Sequence, residues 1–152
     1  MSVDVRTNIS EKFDKTEVII NAPERNEEID RIEQALKSLD ENEISEIIGL
    51  NGNNIFIIKV KDVIVFYSEE KNNYCRTKEG TFRIKEKMYY LEDMLPHKDF
   101  VRISNSAIIN INNVKCFDTS IIGRITVRFK DGTSEEVSRR RTSELMKFLK
   151  GR

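Results

Sequence analysis

From Glu43 onward the chain repeats one local pattern: a short β-branched or aromatic run, a turn with Gly, Asn or Asp, then another run. The runs are SEIIGL, NIFIIKV, DVIVFYS, NNYCRTK, TFRIK, FVRIS, AIIN, VKCFDTS, GRITVRF and TSEEVS, with Lys130-Asp131-Gly132 among the turns. Strands spaced about ten residues apart leave room for hairpins, so the pattern predicts antiparallel sheets and a mainly β fold. Two helices interrupt it: a short one at MYYLEDML, stopped by Pro96, and a C-terminal one at RRRTSELMKFLK.

Before Glu43 the pattern differs. In PERNEEIDRIEQALKSLDENE, Ile29, Ile32, Leu36 and Leu39 recur at helical spacing with charges on the other faces, which predicts an amphipathic helix. Asn21, Pro23 and Glu24 supply start signals, the preceding KTEVIIN reads as a strand, and a first strand fits SVDVRTN. Residues 1–42 therefore read as a small strand-helix extension and residues 43–152 as the main domain. A free helix of this length is marginal in water, so its apolar stripe should pack on the β-rich part or on a second copy in a homodimer.

The 26 basic and 26 acidic residues balance overall but are unevenly placed. Residues 1–50 hold 6 basic and 13 acidic residues, whereas residues 51–152 hold 20 and 13. An acidic segment beside a basic one suits a polyanion-binding domain, although solvated faces can produce the same count. No run approaches the roughly 20 apolar residues of a membrane span, and MSVDVRTNIS lacks the apolar core of a secretory signal. A cytoplasmic protein without a membrane partner is expected, with Cys75 and Cys116 as free thiols.

Catalysis has little to work with. The single histidine, His97, follows Pro96 in a loop-like PHKDF stretch, and Cys75 and Arg76 would point to opposite faces of a strand. There is no Cys-x-x-Cys, no His-x-x-x-His, no EF-hand spacing and no Gly-rich phosphate loop. The chain is expected to be no enzyme and to need no cofactor.

Binding chemistry is better represented. In FVRISNSAIININNVK, Arg102, Ser104, Asn105 and Ser106 interrupt two apolar runs. Arginine offers a fork of donors and asparagine pairs a donor with an acceptor, which suits phosphate oxygens and base edges as well as an ordinary polar turn. In VSRRRTSELMKFLK, Ser138 is placed to cap a helix whose first turn holds Arg139, Arg140 and Arg141. Cations there oppose the helix dipole, so either an anionic partner offsets them or Glu135, Glu136 and Glu144 neutralise them locally. A third polar stretch, Lys71 to Tyr74 with Asn73, reads as a hairpin turn.

These segments, in order, carry a resemblance. FVRISNSAIININNV, preceded by DVIVFYSEEKNNY and followed by EEVSRRRTSELMKFL, resembles the LytTR family of bacterial DNA-binding domains over residues 43–150. The resemblance implies about ten short strands in antiparallel sheets with a C-terminal helix, and binding of double-stranded DNA through loops. It implies contacts at the hairpin matching Asn73, the loop matching Asn105 and the segment matching Arg139, with Arg102, Ser104 and Arg140 beside them on phosphate. It further implies loops in successive major grooves, a bent duplex, and two copies on repeated half-sites. Relatives that answer to histidine kinases carry a receiver domain, for which residues 1–42 are too short. The expected function is a bacterial transcriptional regulator; the alternative is an interaction module docking an acidic protein on the same basic face.

Overall fold

The computed structural model describes residues 3–40 and 43–152, in two units, Met1–Asp40 and Glu41–Arg152. In the first unit, helix α1 (Glu27–Asp40) forms over the apolar stripe. Its start is set by Asn26 rather than by Asn21 or Pro23: the Asn26 side-chain oxygen accepts the Ile29 amide at 3.1 Å, satisfying one of the donors that a helix start leaves open. Arg25 adds exposed ion pairs to Asp30 at 2.7 Å and Glu33 at 2.8 Å.

The extension lacks the strands expected of it. Residues 3–26 contain no strand, so KTEVIIN and the described part of SVDVRTN are irregular, and Val18 and Ile19 stay exposed. A β-branched run gains its stability from a ladder with a neighbour, and no described strand pairs with these.

In the second unit the expected runs all become strands: β1 (Glu46–Asn51), β2 (Asn54–Lys59), β3 (Val65–Glu69), β4 (Asn72–Thr77), β5 (Gly80–Ile84), β6 (Phe100–Ser104), β7 (Ala107–Asn110), β8 (Val114–Asp118), β9 (Ile125–Phe129) and β10 (Ser134–Val137). The helices are α2 (Met88–Met94) and α3 (Thr142–Lys150). Seven strands form one sheet in the order β2-β1-β5-β4-β3-β7-β6, and three form another in the order β10-β9-β8. Every pairing is antiparallel.

Two cores hold these layers. Phe66, Phe82, Leu91, Leu95 and Phe100 belong to the core that includes α2. Val65, Ile103, Ile109, Phe129 and Leu145 belong to the core that joins the two sheets and α3. Val65 and Phe66 are successive residues on β3 yet lie in different cores, because neighbours on a strand point to opposite faces. A strand covered on both faces is apolar throughout, which accounts for the unbroken run DVIVFY. At the free edge, Ile55 and Ile57 on β2 belong to neither core and are 72% and 74% exposed.

Two local features fix how the strands meet. Asn110 is fully buried; its amide donates to the Val63 carbonyl at 2.9 Å and to that of Lys61 at 3.3 Å, while its oxygen accepts the Asn112 amide at 3.0 Å. It pins the bend before β3 to the end of β7. Gly49 on β1 leaves room for its neighbours: a Cβ there would lie 2.7 Å from Phe82 Cβ and against Ile58 Cδ1. Gly49→Ala should therefore destabilise the second unit by about 1–3 kcal/mol, the usual cost of overpacking a close-packed site. A thermal melt followed by circular dichroism measures this, and an unchanged midpoint would contradict it.

Candidate nucleic-acid interface

The polar turn singled out in the sequence joins β6 to β7, with Ser104 paired to Ala107 and Asn105-Ser106 between them. The register slips between Arg102 and Ser104, a bulge at Ile103 that re-aims the strand end. Ser104 shapes the turn: its hydroxyl oxygen accepts the Ser106 amide at 3.2 Å and lies 3.3 Å from the Ser106 hydroxyl. Asn105 is exposed, and its side-chain amide has no partner among the described residues.

Arg102 occupies a different position from the one expected beside phosphate. Its Nε donates to the Ser104 carbonyl at 3.0 Å and one terminal nitrogen to the Asn105 carbonyl at 2.9 Å. Its other terminal nitrogen pairs with Glu92 of α2. All three branches of the guanidinium are occupied, so Arg102 holds the turn from behind.

Glu92 reaches further. Its second oxygen lies 3.3 Å from a terminal nitrogen of Arg141, which also pairs with Glu144 at 3.0 Å. Burial pushes the Glu92 carboxyl up, but hydrogen bonds and charge from Arg102 and then Arg141 outweigh it and hold the group below its usual range. One carboxylate thereby braces both the β6–β7 turn and the arginine segment.

That segment is not the first turn of the helix. Arg139–Arg141 form a 3-10 turn, α3 begins at Thr142, and the Ser138 side chain makes no cap hydrogen bond. Instead the Ser138 amide donates to the Ile103 carbonyl at 2.8 Å, tying the turn to β6 beside the Asn105 turn. The three arginines differ in environment. Arg141 is half-buried and paired, whereas Arg139 and Arg140 are exposed and their side chains have no hydrogen bond or ion pair among the described residues. Of the carboxylates expected to neutralise them, Glu144 pairs with Arg141 and Glu136 pairs with Arg124 at 2.7 Å.

Asn73 lies in β4 opposite Ser68 of β3, and the turn itself is Glu70-Lys71, both with positive φ, 48° and 70°. Ser68 Oγ donates to Asn73 Oδ1 at 2.5 Å, and Asn73 Nδ2 donates to the Glu86 carbonyl at 2.8 Å. Both ends of this amide are engaged, unlike that of Asn105. The two cysteines are free; Cys75 is buried, and burial followed by the nearby Glu86 charge pushes its thiol up to about 12. A group so protonated is a poor nucleophile. The His97 ring lies 2.9 Å from the Glu92 carbonyl at the end of α2.

Sequence reasoning located the turns but missed the brace. Glu92 reads as one more acid in a short amphipathic helix, and nothing local marks it as the partner of Arg102 and Arg141.

The arrangement defines a class: a mainly β domain that offers amide and guanidinium groups on rigidly held turns, a surface suited to a nucleic-acid duplex. The family model for the LytTr DNA-binding domain matches residues 53–150. An uncharacterized HTH-type transcriptional regulator of Staphylococcus aureus strain MSSA476 is 33% identical over 132 residues, 87% of this chain and 88% of that protein. One from strain NCTC 8325 is 34% identical over 121 residues, 80% of each. A solved LytTr DNA-binding domain of a putative methyl-accepting/DNA response regulator from Bacillus cereus superposes with a TM-score of 0.67 at 22% identity, covering 70% of this chain and 97% of that one. The chain belongs to the LytTR family of DNA-binding domains and is a DNA-binding regulator. The relatives' helix-turn-helix label does not describe this architecture, since five strands separate α2 from α3.

Proposed function

We propose that this regulator reads duplex sequence with Asn105 and Arg139, assisted by Arg140, while Arg102 acts as the brace of the reading turn. The observation that carries this is the contrast among neighbours. On two adjacent turns fixed by Glu92, the side chains of Asn105, Arg139 and Arg140 are exposed without partners among the described residues, and those of Arg102 and Arg141 are engaged. A free asparagine amide fits the donor-acceptor pair on an adenine edge, and a free guanidinium fits guanine or phosphate. Ser104 contributes by shaping the turn, and its hydroxyl lies within the same surface. Two copies on repeated half-sites, held through α1 of the extension, complete the proposal of a transcriptional regulator acting as a homodimer in the cytoplasm.

Asn105→Ala tests the reading directly. Binding to the duplex that the intact chain prefers should weaken by about 1–3 kcal/mol, with much less change on a random duplex. Competition binding at one fixed salt concentration measures both, and equal losses on the two duplexes would refute base reading by Asn105.

A further inference from the structure

Beyond the reading turns lies an open cleft of about 430 Å³ lined by Lys71, Asn72, Asn73, Arg83, Lys85 and Lys87, with Leu50 and Ile84 at its floor. Four of these residues are cations and none is an acid. Glu69 and Glu70 sit at the hairpin turn and are not among the lining residues, and Glu86 has Oε2 buried and unbonded. Lys71, Arg83, Lys85 and Lys87 are exposed and make no ion pair among the described residues. An apolar ligand has little to hold here, whereas an anion meets four unneutralised charges.

The cleft lies at the same end of the seven-stranded sheet as the β6–β7 turn, since Asn73 pairs with Ser68 and Ile84 while Tyr67 pairs with Ala107. The Ser106 carbonyl accepts the Ser68 amide at 2.9 Å, Ser68 Oγ bonds Asn73, and Asn73 bonds the Glu86 carbonyl between Lys85 and Lys87. A line of hydrogen bonds thus runs from the Asn105 turn across β3 and β4 to the segment that carries the lysines. In that line the Asn73 amide is engaged at both ends, which fixes its orientation between β3 and the segment after β5.

We infer that the β3–β4 hairpin and the β5–α2 segment form a backbone grip: Lys71, Arg83, Lys85 and Lys87 hold the phosphates of duplex DNA flanking the site read by Asn105 and Arg139, and Asn73 is a positioning residue that holds the grip together. The inference rests on the DNA-reading function proposed above and assigns the hairpin affinity without sequence information. Phosphate contacts of this kind release counterions, so they appear in the salt dependence of binding, whereas base contacts appear in the ratio between duplexes.

The test uses the full chain, a 30-base-pair duplex that it enriches from a random pool, and a scrambled duplex of the same composition. The Lys85→Ala, Lys87→Ala double variant, which removes two exposed side chains, should bind both duplexes roughly tenfold more weakly and reduce the salt slope by about 2. Its preference between duplexes should be unchanged. Asn73→Ala should lower the melting temperature and leave that preference intact. An unchanged salt slope in the double variant, with Asn105→Ala still relaxing the preference, would overturn the grip while leaving the reading function standing. Relaxed preference in Asn73→Ala at unchanged melting temperature would instead make the hairpin a base reader and overturn the assignment. If the intact chain enriches no duplex at all, the reading function itself fails and the grip with it.

Discussion

Arg139→Ala is expected to keep folding stability within about 0.5 kcal/mol of the parent while affinity for the preferred duplex falls roughly tenfold to a hundredfold. Arg139 is exposed and unpaired among the described residues, so its removal takes away no internal contact. It opens the 3-10 turn one turn ahead of α3, and helix-dipole effects fade beyond the first helical turn. The strain that three arginines would impose inside a helix N-terminus is thereby largely avoided, and little stability is regained by deleting one. Meanwhile the guanidinium is the group best placed to offer a two-pronged contact to guanine or phosphate. Melting temperature and duplex affinity measured side by side decide the matter; lower melting with unchanged affinity would remove Arg139 from the interface.

Glu92→Ala should behave in the opposite way, losing about 2–3 kcal/mol of stability together with most of the DNA affinity. The substitution leaves two largely buried guanidinium groups, Arg102 and Arg141, without the carboxylate that they share, and Glu144 can answer only Arg141. Both the Asn105 turn and the arginine turn lose their common anchor. The same pair of contacts makes a pH prediction. The Glu92 carboxyl is held below its ordinary value, so its contribution is fully present above the unfolded pKa of about 4.3 and is lost as pH falls through the depressed folded value. The parent should therefore lose stability on acidification below about pH 4.3 more steeply than Glu92→Gln does. Urea titrations at several pH values give the comparison, and identical slopes would show that the carboxylate carries no such role.

These variants separate two kinds of arginine that are indistinguishable in the string RRR. Sequence reasoning weighed an anionic partner against local neutralisation for all three at once. Arg141 is neutralised, by Glu144 and Glu92, while the side chains of Arg139 and Arg140 have no partner among the described residues. Local neutralisation holds for Arg141, and the anionic partner remains the proposal for Arg139 and Arg140.

The string of residues by itself determined the strands of the main domain, their turns and the two helices that interrupt them. Each depends on interactions within a few residues: alternation along β6, the Lys130-Asp131-Gly132 turn, and Pro96 just beyond α2. The strands imagined at SVDVRTN and KTEVIIN show the limit, because a strand also needs a partner that the local sequence does not name. Only the tertiary structure decided which polar side chains are free. Arg102 and Asn105 are three residues apart on one turn, yet Glu92 on α2 engages the first and no described residue bonds the side chain of the second. Asn73 looked like a turn residue and is held at both ends by Ser68 and Glu86. The physical reason is one of range: backbone conformation is set mainly by neighbours in sequence, whereas a side chain's availability for DNA is set by donors and acceptors brought to it from distant segments of the chain.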